Sequence, residues 1–381
     1  MRAVFAWTAS VRLRGMLEPG RIGSLRLLAY TDTTALGGAD LALAHVLERL
    51  DSGIEVAVAG VSPAIVERVA AGRPGAILEI IDSPRSGHDL GALSAHLSTV
   101  RSFAPDIVHV SLASPWSCQY AIAASGLARA RVVAVYQLPR PAVNRRQRLL
   151  KQLTSRAVTR HVGVGERTSR EVEKLLGLPR GTVRTIHNGV PDDPLEAAEK
   201  PLSGPVIGAV GRLEPQKGFD IFLRALGEVP QASAVIVGDG EQRNDLHALA
   251  DRLQIQDRVQ WVGWRDDRRA YLPWFDVFVL PSRFEGFPLA LLEALLAEKA
   301  VVATDVGSVA EAVLPEETGL LVPEEDPAAL AAAIRRLLED DALRTGLGRA
   351  GRKLVRERFT ASHMSRSFER LYEEILSRCA G

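Results

Sequence analysis

A chain of 381 residues, of which 46% are hydrophobic, is long enough to bury two cores of ordinary domain size. It has no apolar run near the roughly 20 residues of a membrane-spanning helix, and its N-terminal apolar stretch is too short for a signal peptide. Its two cysteines, Cys118 and Cys379, are not clustered with histidine, so neither a disulfide framework nor a zinc site is indicated. We expect a cytoplasmic protein of two domains.

The charge of the chain is divided unevenly between its two halves. Although the formal net charge is only +1, residues 1–190 contain 24 Lys and Arg against 14 Asp and Glu, and the remaining residues contain 23 against 32. A basic first half can attract an anionic acceptor or an anionic membrane surface.

In chain order, the first feature is an N-terminal stretch, residues 1–22, that we expect to be irregular. Short apolar strands then alternate with amphipathic helices, a pattern typical of parallel sheets covered by helices. A first domain, residues 23–190, is followed by a polar linker, residues 191–204, by a second domain, residues 205–360, and by a helix, residues 361–381, expected to cross back to the first domain. The predicted strands of the first domain are 24–30, 53–60, 76–81, 106–111, 131–136, 161–165 and 183–190.

A basic segment of the first domain, residues 139–160, contains seven cations and no acidic residue. Apolar residues at helical spacing, among them Leu149 and Leu153, predict an amphipathic helix. Such a helix either makes a peripheral contact with a membrane or packs on its own domain. Because the segment lacks interleaved aromatic residues, and the rest of the chain offers no recognised module, we expect no nucleic-acid binding.

Residues 206–226 contain a buried strand, a loop with two cations and the start of a helix. Arg212 and Lys217 lie in this loop, and the helix begins near Gly218. Guanidinium and ammonium groups beside a helix N-terminus can clamp a diphosphate, so this loop is a candidate phosphate site.

Residues 278–295, FVLPSRFEGFPLALLEAL, place two glutamates around the start of another helix. A buried strand ends before Pro281, and Pro288 fits the first position of the helix. Glu285 therefore precedes the helix, and Glu293 lies within it, about 7 Å further along the axis. The free N–H groups at this helix start attract an anion. A ligand with hydroxyls at each end and a phosphate in the middle would suit the segment.

Together these segments resemble the G-R-x4-K-G and E-x7-E motifs of retaining GT-B glycosyltransferases, the group 1 or family-four class, and the resemblance continues to residue 334. It implies an α/β fold of two facing Rossmann-like domains, each a doubly wound parallel sheet, with a central cleft at the carboxyl ends of both sheets. It also implies transfer of a hexose-type sugar from a nucleotide-sugar to an acceptor hydroxyl with retention of configuration. Since the chain has no D-x-D metal motif, we expect transfer without a metal ion or other cofactor.

The resemblance assigns roles to individual residues. Arg212 and Lys217 would neutralise the leaving diphosphate, Glu285 would contact the transferred sugar, and Glu293 would hold the nucleotide ribose. The main chain of residues 262–265 would pair with the base, which favours a UDP-sugar as the donor. The other residues expected to bind the donor are Gly37, Gly38, Arg265, Gly286, Phe287, Pro288 and Leu289.

The acceptor side departs from the family pattern. Many relatives have a histidine where this chain has Tyr136 and Gln137. These two residues, with His88 and His109, are candidates for contacts with the acceptor. For both histidines the alternative is a purely structural role, in the core for His109. The sequence does not specify whether the acceptor is a small molecule, a lipid-linked sugar or a growing glycan.

Two smaller departures lie in the second domain, where Glu298 and Ser308 stand at positions at which relatives often have glycine. Two other functions are compatible with the whole pattern: a non-catalytic protein that binds sugar nucleotides, and a phosphorylase or epimerase of the same fold. A phosphorylase would need a lysine that carries pyridoxal phosphate, and no segment argues for one.

Overall fold

The computed structural model describes residues 25–85, 88–138, 145–194, 198 and 204–377. The predicted irregular stretch, Cys379 and part of the predicted linker lie outside these residues. The described chain forms two domains, each built on one parallel β-sheet with helices packed on it, so the predicted fold class is confirmed.

The first sheet has seven parallel strands in the order β3-β2-β1-β4-β5-β6-β7. Its central strands are apolar runs buried on both faces, which a parallel sheet covered by helices requires. The strands are β1 (Arg26–Thr31), β2 (Glu55–Gly60), β3 (Ile77–Ile80), β4 (Ile107–Leu112), β5 (Arg131–Tyr136), β6 (Arg160–Gly163) and β7 (Arg184–Thr185).

Helices follow the strands of the first domain in the usual alternation. Helix α1 packs against α2, and α3 to α6 pack in succession beside one another. These helices are α1 (Gly38–Arg49), α2 (Pro63–Ala70), α3 (Leu90–Phe103), α4 (Gln119–Leu127), α5 (Arg145–Thr154) and α6 (Glu166–Leu176).

The second sheet has six parallel strands in the order β10-β9-β8-β11-β12-β13. The strands are β8 (Val206–Val210), β9 (Ser233–Val237), β10 (Val259–Gly263), β11 (Val277–Leu280), β12 (Ala300–Thr304) and β13 (Leu320–Val322). The helices that follow are α7 (Phe219–Gly227), α8 (Arg243–Arg252), α9 (Leu289–Leu296), α10 (Pro327–Glu339), α11 (Asp341–Arg358) and α12 (Ala361–Ser377).

The chain passes between the domains twice, and the two passages lie side by side. The N–H of Val190 donates to the carbonyl of Phe359 at 3.0 Å, and the N–H of Ala361 donates to the carbonyl of Val190 at 2.8 Å. Helix α12 then packs on α1 of the first domain, where the hydroxyl of Ser365 donates to the carbonyl of Val46 at 2.9 Å.

A second contact joins the domains across the cleft. The carboxylate of Glu311, in the second domain, accepts from the N–H groups of Glu166 and Arg167 at the start of α6, at 2.9 and 3.1 Å. It also bonds to Nε2 of His187 at 2.7 Å. These bonds hold the pKa of Glu311 down at about 2, although burial acts to raise it. The start of α6 is therefore capped by a side chain from the opposite domain.

Local differences from the predicted elements are small. The strand predicted over 183–190 is shorter in the structure, where β7 contains only Arg184–Thr185. After β7 the chain leaves the sheet and forms the first passage between the domains. Pro288 is the N-cap of α9 rather than its first residue. Cys118 is a buried free thiol. No helix in the described part of the chain is both long and apolar enough to cross a membrane.

Candidate active site

The cleft between the domains lies at the carboxyl ends of β1 and β8. In each sheet the strands that follow this first strand are added on one side of it and then on the other, which is where open α/β sheets bind ligands. The first domain lines it with the loop and helix after β1 and with the residues that follow β4 and β5. The second domain lines it with the loops after β8, β9 and β10 and with the start of α9. Most residues predicted to bind a donor are therefore brought to one place.

The pair Lys217 and Glu285 forms the charged centre of the cleft. Lys217 Nζ donates to Glu285 Oε1 at 2.7 Å, and the Ser282 hydroxyl donates to the same oxygen at 2.7 Å. The Glu285 side chain is only 6% exposed, and a buried carboxylate is stable only with such partners. Because both donors reach Oε1, Oε2 remains able to accept a bond from a ligand hydroxyl.

The loop after β8 carries the two predicted phosphate contacts to the cleft. Arg212 is 41% exposed and pairs with Glu214 at 3.0 Å. An exposed pair of this kind is weak, so its guanidinium is available to an anion. The next residue after Lys217, Gly218, has a φ of +64°, and a Cβ there would lie 2.0 Å from the carbonyl oxygen of Pro281. Only glycine fits this position, which lets the loop turn directly into α7.

Glu293 is held by Arg268, a residue that the sequence analysis missed. The guanidinium donates to the two carboxylate oxygens at 2.5 and 3.1 Å. Glu293 is 2% exposed and does not line the cleft, whereas Arg268 does. The cleft thus presents Arg268, and the carboxylate of Glu293 is bonded to that arginine.

The start of α9 is pressed against the first domain. A Cβ on Gly286 would lie 1.8 Å from the carbonyl oxygen of Gln137, so glycine is required for this approach. Asn188 Nδ2 donates both to Gln137 Oε1 and to the carbonyl of Phe287, each at 2.9 Å. Residues 286–289 therefore line the cleft with their main chain fixed from the opposite domain.

Gly37 and Gly38 begin α1 at the edge of the cleft. Gly37 is the N-cap, and its N–H donates to Asp40 Oδ2 at 3.0 Å. A Cβ on Gly38 would meet no atom within 4 Å, so the space in front of this main chain is open. The pair presents a helix N-terminus to the cleft opposite the cations of the β8 loop, which suits a phosphate.

The loop after β10 adds two residues to the cleft, Trp264 and Arg265. Arg265 was predicted as a donor contact, whereas for Trp264 only the main chain was expected to contact the donor. The indole is 44% exposed, which is unusual for so large an apolar group and offers a flat surface to a ring.

Of the four predicted acceptor contacts, only Gln137 lines the cleft. His109 is buried in β4, where its Nδ1 bonds to the Tyr372 hydroxyl at 2.6 Å and burial lowers its pKa to about 3. Tyr136 is buried as well, with its hydroxyl 3.2 Å from Nδ1 of His161. His88 is exposed in the loop before α3. The side chains of His109 and Tyr136 are thus part of the core: His109 has the alternative role given for it, and Tyr136 is not in a position to contact the acceptor.

The cleft has the charged groups needed to bind a diphosphate and a sugar. Arg212, Lys217 and two helix N-termini converge on a space that can hold a diphosphate, and the carboxylate of Glu285 lies beside it to accept hydroxyl donors. Among the described residues, no group of three or more His, Cys, Asp or Glu side chains could hold a metal ion.

Comparison with known proteins matches both domains. A family described as "Glycosyl transferases group 1" matches residues 204–340, and one described as "Glycosyltransferase Family 4" matches residues 37–194. The 2-deoxystreptamine glucosyltransferase of Streptomyces kanamyceticus is 30% identical over 268 residues, which are 65% of this chain and 69% of that protein. The lipopolysaccharide core biosynthesis glycosyltransferase LpsE of Rhizobium meliloti (strain 1021) is 31% identical over 214 residues, or 55% of this chain and 61% of LpsE.

The fold is also similar to solved structures. The crystal structure of Anabaena Alr3699/HepE in complex with UDP superposes with a TM-score of 0.80 at 20% identity, covering 92% of this chain and 100% of HepE. The complex of the same protein with UDP-glucose gives a TM-score of 0.79 at 21% identity, with 93% and 100% covered. At this identity the likeness is one of fold.

Proposed function

Because this chain belongs to the group 1 and family 4 glycosyltransferases, we propose that it transfers a hexose-type sugar from UDP to an acceptor hydroxyl with retention of configuration. The bond between Lys217 and Glu285 carries the proposal, since it places a cation for the leaving diphosphate next to a carboxylate for the sugar hydroxyls. UDP is favoured over other nucleotides because HepE, whose fold is similar, binds UDP and UDP-glucose.

The proposed chemistry needs no protein base. As the bond to the anomeric carbon breaks, negative charge grows on the diphosphate, and Arg212 and Lys217 stabilise it from positions fixed before the reaction. The departing phosphate oxygen takes the acceptor proton on the same face of the sugar, which leads to retention. Glu285 orients the donor sugar and favours positive charge at its ring. A metal ion has no required role in these steps.

Glu293 and Arg268 act as a unit in this proposal. The carboxylate binds the ribose hydroxyls when the guanidinium turns towards the cleft, where it can meet the diphosphate. The acceptor is a hydroxyl of a glycan, glycolipid or glycoside, and the enzyme works in the cytoplasm, where lipid-carried acceptors are reached through a peripheral membrane contact.

A thermal-shift screen tests the donor site. The purified chain is heated with UDP, GDP or ADP and with their common hexose derivatives in the presence of EDTA. A ligand that binds only the folded state stabilises it, by about 2.7 kcal/mol at a hundred times its dissociation constant. We expect UDP compounds to stabilise the wild type and to have much less effect on Glu293→Gln. A uniform absence of stabilisation by uridine nucleotides would refute the donor assignment.

The matched control is Glu316→Gln, the same change at an exposed glutamate of the same domain that pairs with Arg336 at 2.6 Å. This variant must respond to UDP like the wild type. Proton NMR of the sugar released by slow donor hydrolysis then tests the stereochemistry, since retention requires the anomer of the donor to appear first. Dependence of hydrolysis on added manganese after EDTA treatment would contradict the metal-independent route.

A further inference from the structure

Helix α5 lies on its domain with leucines outside and a lysine inside. Leu149 and Leu153, one turn apart, are 58% and 49% exposed, whereas Lys151 is 1% exposed. An ordinary surface helix buries its apolar side and keeps lysine in water. At the described positions 149, 151 and 153 of α5 this arrangement is reversed, so the two exposed leucines call for a functional explanation.

Polar contacts on both sides fix this orientation. The Thr154 hydroxyl donates to Gln119 Oε1 of α4 at 3.0 Å, and Arg148 Nη2 donates to the carbonyl of Lys174 in α6 at 2.8 Å. On the inner side, Lys151 Nζ lies 5.5 Å from the centre of the Tyr136 ring. The helix cannot turn its leucines inward without breaking these contacts.

The neighbouring helix extends the apolar surface. Gly126, near the end of α4, lies against Ala157, because a Cβ on that glycine would be 3.0 Å from the Cβ of Ala157. The next residue, Leu127, is 59% exposed. We call the exposed side chains of α4 and α5, with Leu127, Leu149 and Leu153 at their centre, the α4–α5 face.

The segment of the sequence that contains α4 and α5 has charged residues of one sign only. Residues 107–165 contain nine Lys and Arg and not one Asp or Glu. Among these cations Arg129, Arg148 and Arg156 are exposed on or next to the two helices. Exposed leucines among arginines form the combination that enters the interface of an anionic bilayer, where the apolar groups pass the headgroups and the guanidinium groups meet phosphate.

We propose that the α4–α5 face docks on an anionic lipid bilayer, with Leu127, Leu149 and Leu153 inserted at the level of the headgroups. The inference deepens the proposed function and rests on it, because it gives the acceptor a location at the membrane surface. A second copy of the chain fits this face less well, since a two-fold contact would place the same arginine-bearing patch of both copies face to face.

The α4–α5 face belongs to the same domain as the predicted acceptor wall of the cleft. Helix α5 follows β5, and Gln137 and Leu138, directly after β5, line the cleft on the first-domain side. The donor loops belong to the second domain. An acceptor carried on a lipid can thus approach from the membrane while the donor enters from the water.

Vesicle flotation tests the proposal. The purified full chain is mixed, without donor, with vesicles of phosphatidylcholine alone or of an equal mixture with phosphatidylglycerol. We expect binding to the anionic vesicles only, weakened by raised salt, and a fall of about tenfold or more in Leu149→Gln/Leu153→Gln. The control, Leu78→Gln/Ile80→Gln, changes two residues of the β3 edge strand that are 46% and 48% exposed and should bind like the wild type.

The outcomes are separable from those of the donor test. The Leu149→Gln/Leu153→Gln variant should keep the stabilisation by UDP, so loss of vesicle binding alone supports the docking face. Absence of binding by the wild type, or equal binding by both double variants, overturns it. It is also overturned if light scattering shows that the wild type self-associates and that the Leu149→Gln/Leu153→Gln variant does not, since the face then belongs to a dimer.

Discussion

In the proposed reaction Lys217 contacts two negative groups, the carboxylate of Glu285 and the leaving diphosphate. The bond to Glu285 fixes its position. Its ammonium is held by Glu285 at 2.7 Å, so it needs little reorganisation when charge develops on the diphosphate. Arg212, more exposed and paired only with Glu214, approaches the same space from the start of the loop. The two cations should contribute to the rate by the same electrostatic effect.

Substitution of either cation should lower turnover with little effect on folding. For Lys217→Ala and for Arg212→Ala we expect kcat to fall about a hundredfold or more, as for loss of one preorganised charge contact worth roughly 3 kcal/mol. The control is Arg243→Ala, which removes an exposed arginine paired with Asp239 in the same domain. Donor hydrolysis measured at saturating UDP-sugar would show the difference, and normal turnover in both cleft variants would contradict the assignment.

Lys151 should destabilise the first domain at neutral pH. Burial lowers its pKa from 10.5 to about 8, with the nearby Cys118 thiol acting in the opposite direction. The unfolded chain binds the proton below pH 10.5 and the folded chain only below about 8. Stability is therefore lost as the pH falls through this range and stays low below it. The cost at pH 7 is about 3 kcal/mol.

Replacement by an apolar side chain of similar length should recover most of this free energy. We expect Lys151→Met to have a higher urea midpoint than the wild type at pH 7, and the difference should shrink towards pH 10. The comparison requires the midpoint of the first domain, followed for example by hydrogen exchange of β4 and β5. A variant less stable than the wild type at pH 7 would mean that Lys151 has a stabilising partner.

Single side chains were the least predictable level of the structure. Arg212, Lys217 and Glu285 line the cleft, a position that could be expected because their loops follow directly from strands. Arg268 was missed since its bond to Glu293 spans 25 residues and depends on how the chain after β10 folds back. Tyr136 was a candidate for the acceptor side, and His109 was left between that role and a core position. Central parallel strands are apolar on both faces, and their pattern does not reveal which way one side chain points.

At the scale of elements, a residue just after α9 shows the conformational strain that follows from having glutamate where relatives often have glycine. Glu298 follows the helix with a φ of +58°, a conformation that favours glycine. Its side chain pairs with Arg352 at 2.8 Å, an exposed contact that offsets little of this strain. The glycine expected from relatives at this position therefore has a physical reason.

Glycine should be the better residue at position 298. In an Arg352→Ala background, where the ion pair is already absent, Glu298→Gly should stabilise the second domain by about 1 kcal/mol. Denaturant midpoints are compared for Arg352→Ala, Glu298→Gly and the double variant. This comparison separates the effect of glycine on the backbone from the loss of the ion pair. If the glycine lowered stability in that background, the backbone at this position would not be strained.

The elements themselves were largely predictable. Strand β5 was predicted at its observed bounds, and the other strands of the first sheet except the last differ by one or two residues at most ends. The exception, residues 183–190, has apolar residues only at 183, 186 and 190, and it continues after β7 as the passage between the domains. A local apolar pattern cannot distinguish these two uses, because both bury the chain in an extended conformation.

At the scale of the whole molecule, the bonds of Glu311 connect the two domains that form the cleft. The folded pKa of this carboxyl is about 2 against an ordinary 4.5, so its contribution to stability is complete above pH 4.5 and is lost as the pH falls towards 2. Ser308 adds to the same contact, with its hydroxyl 3.2 Å from the N–H of Thr168 in α6. A glycine at position 308 could not make this bond.

Glu311→Gln should loosen the contact between the domains. We expect a lower thermal midpoint than the wild type at pH 7 and a difference that narrows at pH 3, where the wild type begins to lose the same contribution. Small-angle scattering at pH 7 should show a larger radius of gyration for the variant. Glu316→Gln, on the surface of the same domain, should change neither quantity, and an equal effect of both substitutions would rule out a specific role for Glu311.

The return of α12 to the first domain has a consequence for synthesis of the protein. Residues of α12 such as Phe368 and Tyr372 complete the core over α1 and β4, although they follow the entire second domain in the chain. At ribosomal rates of about 5 to 20 residues per second, they emerge on the order of 10 to 40 s after residue 194. During that interval the first domain lacks α12, and the apolar residues that α12 covers are exposed. Chaperones can recognise such a surface.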